Sequence, residues 1–201
     1  MSPKQIDKAG KREMILRRAM QVFARQGIYD FKMIDIAHAA GVGKGTLYEY
    51  FKSKSDLIDG CTQLFMADYS REIVGRLSKM KNPKKQVYEI IQGTLSYFMR
   101  EPERLQLIFD FWAFTYRHQD RMEEILKLTE FFAPLRLHFT NIIQLGIDQG
   151  YFKKTDPQTT ALTLMALVDG LLFYLAMGLI DINDKGLVEN TGRTFLEGIL
   201  A

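Results

Sequence analysis

A 201-residue chain is long enough for one or two domains with a real core. With 47% hydrophobic and 25% charged residues it reads as a soluble globular protein rather than a disordered one. A single cysteine, Cys61, excludes an internal disulfide framework and a cysteine-built structural zinc site.

The net charge of +3 hides an asymmetry. Residues 1–57 carry 11 basic against 6 acidic side chains; residues 58–201 carry 16 against 18. A basic first quarter on a slightly acidic body fits a polyanion partner for that quarter, and equally a solvated face behind a basic tail. The polar start, Met1–Gly10, has no apolar stretch after it, so the expectation is cytoplasmic.

Helical periodicity dominates. Over 11–26, Leu16, Ala19, Met20, Phe23 and Ala24 fall on one stripe, and Gly27 follows as a left-handed cap. Over 33–40, Met33, Ile36, Ala37 and Ala40 repeat the pattern before Gly41-Val42-Gly43. A short helix over 44–51 turns Leu47, Tyr50 and Phe51 inward. A long helix is expected from Lys54 to about Lys79, closed by the turn signal Asn82-Pro83. Further helices are expected over 84–100, 103–118, 121–147, 157–178 and 185–200. Asp156-Pro157 is a helix start with a capping carboxylate and a proline in the first turn. No stretch alternates with a period of two, so no sheet is expected.

Two segments rise above this background. In Phe31–Phe51, FKMIDIAHAAGVGKGTLYEYF, two short helices flank a glycine-containing turn, the helix-turn-helix pattern. Ala37 and Ala40 let the helices cross closely, and Gly41 permits a positive φ. Val42 and Leu47 plug the small core beneath. Lys44, Thr46, Tyr48 and Tyr50 then supply ammonium and hydroxyl donors for phosphates and base edges in a major groove. A generic helical hairpin accounts for the spacing alone.

Ile34–Ile58, IDIAHAAGVGKGTLYEYFKSKSDLI, resembles the DNA-binding signature of the tetracycline-repressor (TetR) family of bacterial regulators. Phe23, Ala24 and Gly27 fit that family's first helix. Gly146–Gly170, GIDQGYFKKTDPQTTALTLMALVDG, resembles the end of its seventh helix and the start of its eighth. The resemblance implies that Lys44, Thr46, Tyr48 and Tyr50 contact DNA and that Lys54 touches a phosphate. Two positions depart from the pattern. Phe31-Lys32 stands where a threonine is usual, and Gly43 where a serine is usual. Lys32 offers no capping oxygen, but its charge is a candidate replacement for a phosphate contact.

The second segment is Ala161–Ile180, ALTLMALVDGLLFYLAMGLI. Leu164, Met165, Val168, Leu171, Leu172 and Leu175 line one side, and Leu162, Ala166, Phe173 and Met177 the other. Such a helix is buried between two layers or in a membrane. Asp169, Thr163 and Tyr174 speak against the bilayer. One face on the chain's own domain and one on a second copy explains the pattern, and the resemblance implies the same for the last two helices. The expected homodimer contacts are Leu164, Val168, Leu172, Phe195 and Ile199.

The middle is rich in aromatic residues, most of them plain core. In the TetR family this region surrounds an inducer pocket. Phe65, Phe98, Phe109, Trp112, Tyr116 and Phe131 are therefore the expected lining, suited to a small, largely apolar molecule. Asp110 and Arg117 read as surface residues. His38, His118 and His138 lie on different helices without metal-ligand spacing, and Cys61 has no nucleophile motif. No catalytic residue, metal or cofactor is expected.

The expected architecture is all-α. A basic tail (1–10) leads into a three-helix helix-turn-helix DNA-binding head (11–57), followed by a helical ligand-binding and dimerisation domain (58–201). The function that follows is a ligand-responsive transcriptional regulator, most simply a repressor released from duplex operator DNA by a small-molecule inducer, with no membrane partner. Two other readings stand beside it: a ligand- or protein-binding helical dimer whose DNA binding has weakened, and a membrane-associated helical protein.

Overall fold

The computed structural model describes residues 3–117, 122–181 and 185–201. Its helices are α1 (Pro3–Gln26), α2 (Met33–Ala40), α3 (Lys44–Tyr50), α4 (Lys54–Leu77), α5 (Pro83–Met99), α6 (Pro102–Arg117), α7 (Met122–Asp148), α8 (Pro157–Ala176) and α9 (Lys185–Ile199). Residues 3–10, expected as a tail, extend α1. Lys4, Gln5, Lys8 and Ala9 have good helix propensity, and Pro3 suits a first turn. Among the described residues the only extended pairing is one isolated antiparallel bridge, Phe152 to Leu200.

Packing divides the chain into two units. The first is Met1–Asp68 with Gln106–Arg121; the second is Tyr69–Leu105 with Met122–Ala201. The expected boundary at 57/58 followed charge and motif, whereas α4 keeps burying side chains in the first unit beyond it. Leu57, Ile58 and Cys61 are inaccessible or nearly so, the Cys61 thiol lies 3.6 Å from the Leu16 carbonyl, and Phe65 meets Phe111 of α6 edge-on at 5.7 Å.

In the first unit α1 packs on α2, and α2 on α3. Leu16, Ala19 and Phe23 are buried as the periodicity requires, joined by Ile15 and Val22. The turn between α2 and α3 depends on Gly41, whose φ of 64° is costly for a residue with a Cβ. Its N–H reaches the His38 carbonyl at 3.1 Å, and the Val42 N–H reaches that of Ala37 at 3.0 Å, closing α2.

In the second unit α5 packs on α7, α8 and α9, and α7 on α8. Asn82 caps α5 through the Lys85 N–H (3.2 Å), and Asp156 caps α8 through the Thr159 N–H (2.8 Å). Beyond α7 the chain folds back so closely that a Cβ on Gly146 would stand 2.1 Å from the Phe152 ring. The Tyr151 and Phe152 N–H groups both donate to the Gly146 carbonyl, and the Lys153 N–H donates to the Ile199 carbonyl at 2.9 Å. The Gly146–Gly170 stretch thus ties the end of α7 to the end of α9.

α8 is long and apolar enough to cross a bilayer by composition. Its inner face, however, carries Leu164 (0% exposed), Val168 (4%) and Leu172 (2%) in the chain's own core. Those three expected dimer contacts, with the buried Ile199, are corrected accordingly: helical phase identifies two apolar faces without saying which one meets its own domain. The face left uncovered carries Leu162, Phe173, Tyr174 and Met177.

Candidate nucleic-acid interface

α3 is seven residues long and anchored by one side chain, Leu47, which is fully buried. At 100° per residue this anchor fixes the rest. Lys44 and Tyr48 run along one flank, and Thr46 and Tyr50 along the other. Gly45 and Glu49 occupy the outward centre. Exposure agrees: Lys44, Gly45, Tyr48 and Glu49 are exposed, Thr46 and Tyr50 half-buried. A glycine at the outward centre lets the backbone come close to a groove floor. Glu49 beside it offers a carboxylate of the kind that can accept from a cytosine amine. Sequence reasoning passed over Glu49 because it sought donors; fixing the phase on Leu47 would have found it.

The ends of the helices are prepared differently. Gly43 enters α3 at φ −68° and ψ 152° without a side-chain cap, while its carbonyl accepts from the Leu47 N–H at 3.0 Å. At α2, Lys32 has no acceptor to offer the first turn, but Asp35 accepts from the Lys32 N–H at 2.9 Å and makes half of a capping box. The Lys32 ammonium, placed against the helix dipole, contributes nothing to that cap. At α4, Ser53 Oγ accepts from the Asp56 N–H (3.1 Å), and the Asp56 carboxylate accepts from the Lys52 N–H (2.7 Å). Lys54 therefore sits in a well-fixed first turn, exposed, with its Nζ 4.7 Å from the Phe31 ring centroid.

The expected pocket residues divide between the two units. In the first unit Phe65 is packed edge-on against Phe111, while Phe109 and Trp112 are half-buried with ring centroids 5.1 Å apart. Tyr116 is 72% exposed and is corrected to a surface residue. With Phe111 and Phe114 inward, its helical phase points it to solvent. In the second unit Phe98 is core, packed on Tyr69 and Tyr97. The side chain of Phe131, like His118, lies outside the described residues. A cavity of about 580 Å³ lies elsewhere, between α8 and α9, lined by Leu167, Gly186, Leu187, Asn190, Thr191, Thr194 and Phe195.

Some polar groups were not legible as buried. Asp110, read as surface, has one carboxylate oxygen buried without a hydrogen-bond partner among the described residues, and burial raises its pKa. His138 Nε2 is likewise unpartnered among the described residues, and burial lowers the pKa of that ring. Asp169 keeps solvent contact on α8, yet the surrounding protein pushes its carboxyl up to about 6. Burial pushes the Cys61 thiol well up, so it is no thiolate at neutral pH.

A short outward helix, seated on its neighbour by a glycine turn and flanked by cations and hydroxyls, is the geometry of a helix-turn-helix reader of duplex DNA. Residues 15–61 match the family described as bacterial regulatory proteins, tetR family, and residues 83–201 match BetI-type transcriptional repressor, C-terminal. The chain belongs to the tetR family of DNA-binding transcriptional regulators and has a C-terminal region of the BetI type. The HTH-type transcriptional regulator YhgD of Bacillus subtilis (strain 168) is 24% identical over 81% of this chain and 83% of its own. A transcriptional regulator from Saccharomonospora viridis, solved in complex with choline, shares the fold at TM-score 0.75 and 20% identity, covering 96% of this chain and 99% of its own. FadR from Bacillus subtilis, solved with stearoyl-CoA, does so at 0.72 and 20%, covering 92% and 95%.

Proposed function

We propose that this chain is a homodimeric, ligand-responsive repressor that reads a two-half-site operator with α3 and leaves it when a small molecule binds. The observation that carries this is the α3 surface, held on a buried Leu47 within a segment of net positive charge. Lys32, Lys44 and Lys54 take phosphates. Tyr48, Thr46, Tyr50 and Glu49 face bases or the adjoining backbone. The uncovered face of α8 and the α8–α9 cavity meet their counterparts on a second copy, which leaves an isologous interface.

Relatives of this fold hold choline and stearoyl-CoA, so a small molecule is a reasonable effector here too, with Phe109 and Trp112 as candidate walls. An effector shifts the dimer off DNA by no more than its differential affinity for the two states. α4 contributes residues to both packing units and is the element able to carry that difference.

Selection of bound duplexes from a random pool tests the reading. The expected result is a two-fold symmetric site whose half-sites lie about one helical turn, or a multiple of it, apart. Recovery of no preferred sequence refutes base reading. Choline and stearoyl-CoA are the first effector probes: a true effector raises the melting temperature and releases the selected duplex at matched concentrations.

A further inference from the structure

We infer that Phe31 is a positioning residue for DNA binding, its ring holding the Lys54 ammonium in place for a backbone phosphate. The inference rests on the DNA reading above and deepens it. The Phe31 ring is fully buried, packed against Phe23 with centroids 4.7 Å apart, and so cannot swing. The Lys54 Nζ lies over it at 4.7 Å, within cation–π range.

A lysine in the first turn of a helix meets the positive end of the dipole, and its long stem is free to wander. The ring answers both: its negative face offsets the dipole and restricts the stem. An ammonium on a ring face still directs N–H bonds outward, toward a phosphate on the solvent side. Phe31 stands just before α2, where Lys32 cannot cap and Asp35 does so from within the helix. Capping is therefore not what this position does. It supplies an aromatic floor for a cation two helices further along the chain.

A double-mutant cycle read by duplex affinity tests this. The probe is a short random-sequence duplex, because phosphate contacts do not depend on sequence. The variants are Phe31→Leu, Lys54→Met, Lys54→Arg and the corresponding doubles, each checked for folding by circular dichroism and melting. Lys54→Met should weaken binding and flatten the salt slope by about one unit. Phe31→Leu should weaken binding roughly two- to fivefold in the wild-type and Lys54→Arg backgrounds, where a cation remains to be held. Its salt slope should stay unchanged, because the charge is still present. In the Lys54→Met background Phe31→Leu should have no effect on affinity. A loss of the same size in that background, or none in the wild type, overturns the assignment. A wild-type chain that binds no duplex overturns the DNA reading itself and this assignment with it. Changes in melting temperature alone are the signature of a structural role and do not reproduce the cycle.

Discussion

The outer face of α8 allows a prediction that separates a dimer surface from a core surface on one helix. Phe173 is 48% exposed, whereas its neighbour Leu172 is 2% exposed. An aromatic side chain carries roughly 150–250 Å² of surface, so about 100 Å² of this ring awaits a cover. At about 25 cal/mol per Å² that is about 2.5 kcal/mol for each protomer. Two-fold symmetry uses the patch twice. Phe173→Ala should therefore weaken the dimer by up to about 5 kcal/mol, between three and four powers of ten in Kd, and leave the urea midpoint of the isolated protomer nearly unmoved. Leu172→Ala should do the reverse, costing about 2–5 kcal/mol of folding stability through the cavity it leaves. Sedimentation equilibrium over a concentration series, paired with urea unfolding, measures both. A stable wild-type monomer at micromolar concentration refutes the dimer. If folded Leu172→Ala dissociates while Phe173→Ala does not, the interface lies on the face assigned here to the core.

Gly146→Ala should lower the melting temperature by several degrees, because its methyl must displace the Phe152 ring that sits 2.1 Å from it; an unchanged melting curve would mean that the α7 end can open without cost. The Asp169 carboxyl is raised from 3.8 to about 6 by desolvation, so between those values the folded chain binds the extra proton. The contribution of Asp169 to stability should then fall as pH rises from about 4 through about 6, opposite in sign to those of Glu72 and Asp156, whose pKa values are lowered, and Asp169→Asn should remove that contribution in a pH series of thermal melts. Tyr48→Ala should weaken a selected operator more than random duplex, and Glu49→Ala should relax the base preference at one half-site position rather than lower overall affinity. Repeating the selection with each variant checks both, and losses equal on specific and random DNA would remove these residues from base reading.

Much of the fold was written in local signals. Gly27, Gly41 and Asp156-Pro157 end or begin helices where their backbone chemistry demands, so the bounds of α2 and the start of α8 follow from sequence alone. Which α3 residues face outward was legible because one buried leucine and a seven-residue helix leave little freedom. What stayed hidden depends on packing between distant segments. The apolar residues of α8 split cleanly into two stripes, yet only contact with α5 and α7 shows that Leu164, Val168 and Leu172 face inward. Tyr116 belongs to an aromatic run whose composition favours a pocket, but its phase sends it to solvent. Asp110 looks like a surface carboxylate until one oxygen is found buried and, among the described residues, unpartnered.

The same contrast bears on how a regulator of this kind is assembled. The helix-turn-helix surface is short, local and fixed by a few hydrogen bonds around Gly41, Asp35 and Ser53. Its geometry therefore survives in sequence as a motif. A ligand response requires two packings of similar free energy, and no local motif encodes that. The second unit holds polar groups in surroundings of low polarity: an Asp169 carboxyl whose ionised form is disfavoured, a His138 ring with one nitrogen unpartnered among the described residues, and a Tyr69–Thr94 hydroxyl pair buried among aromatic rings. A ligand or second copy that supplied a partner to one packing and not to the other would bias the equilibrium by that difference alone.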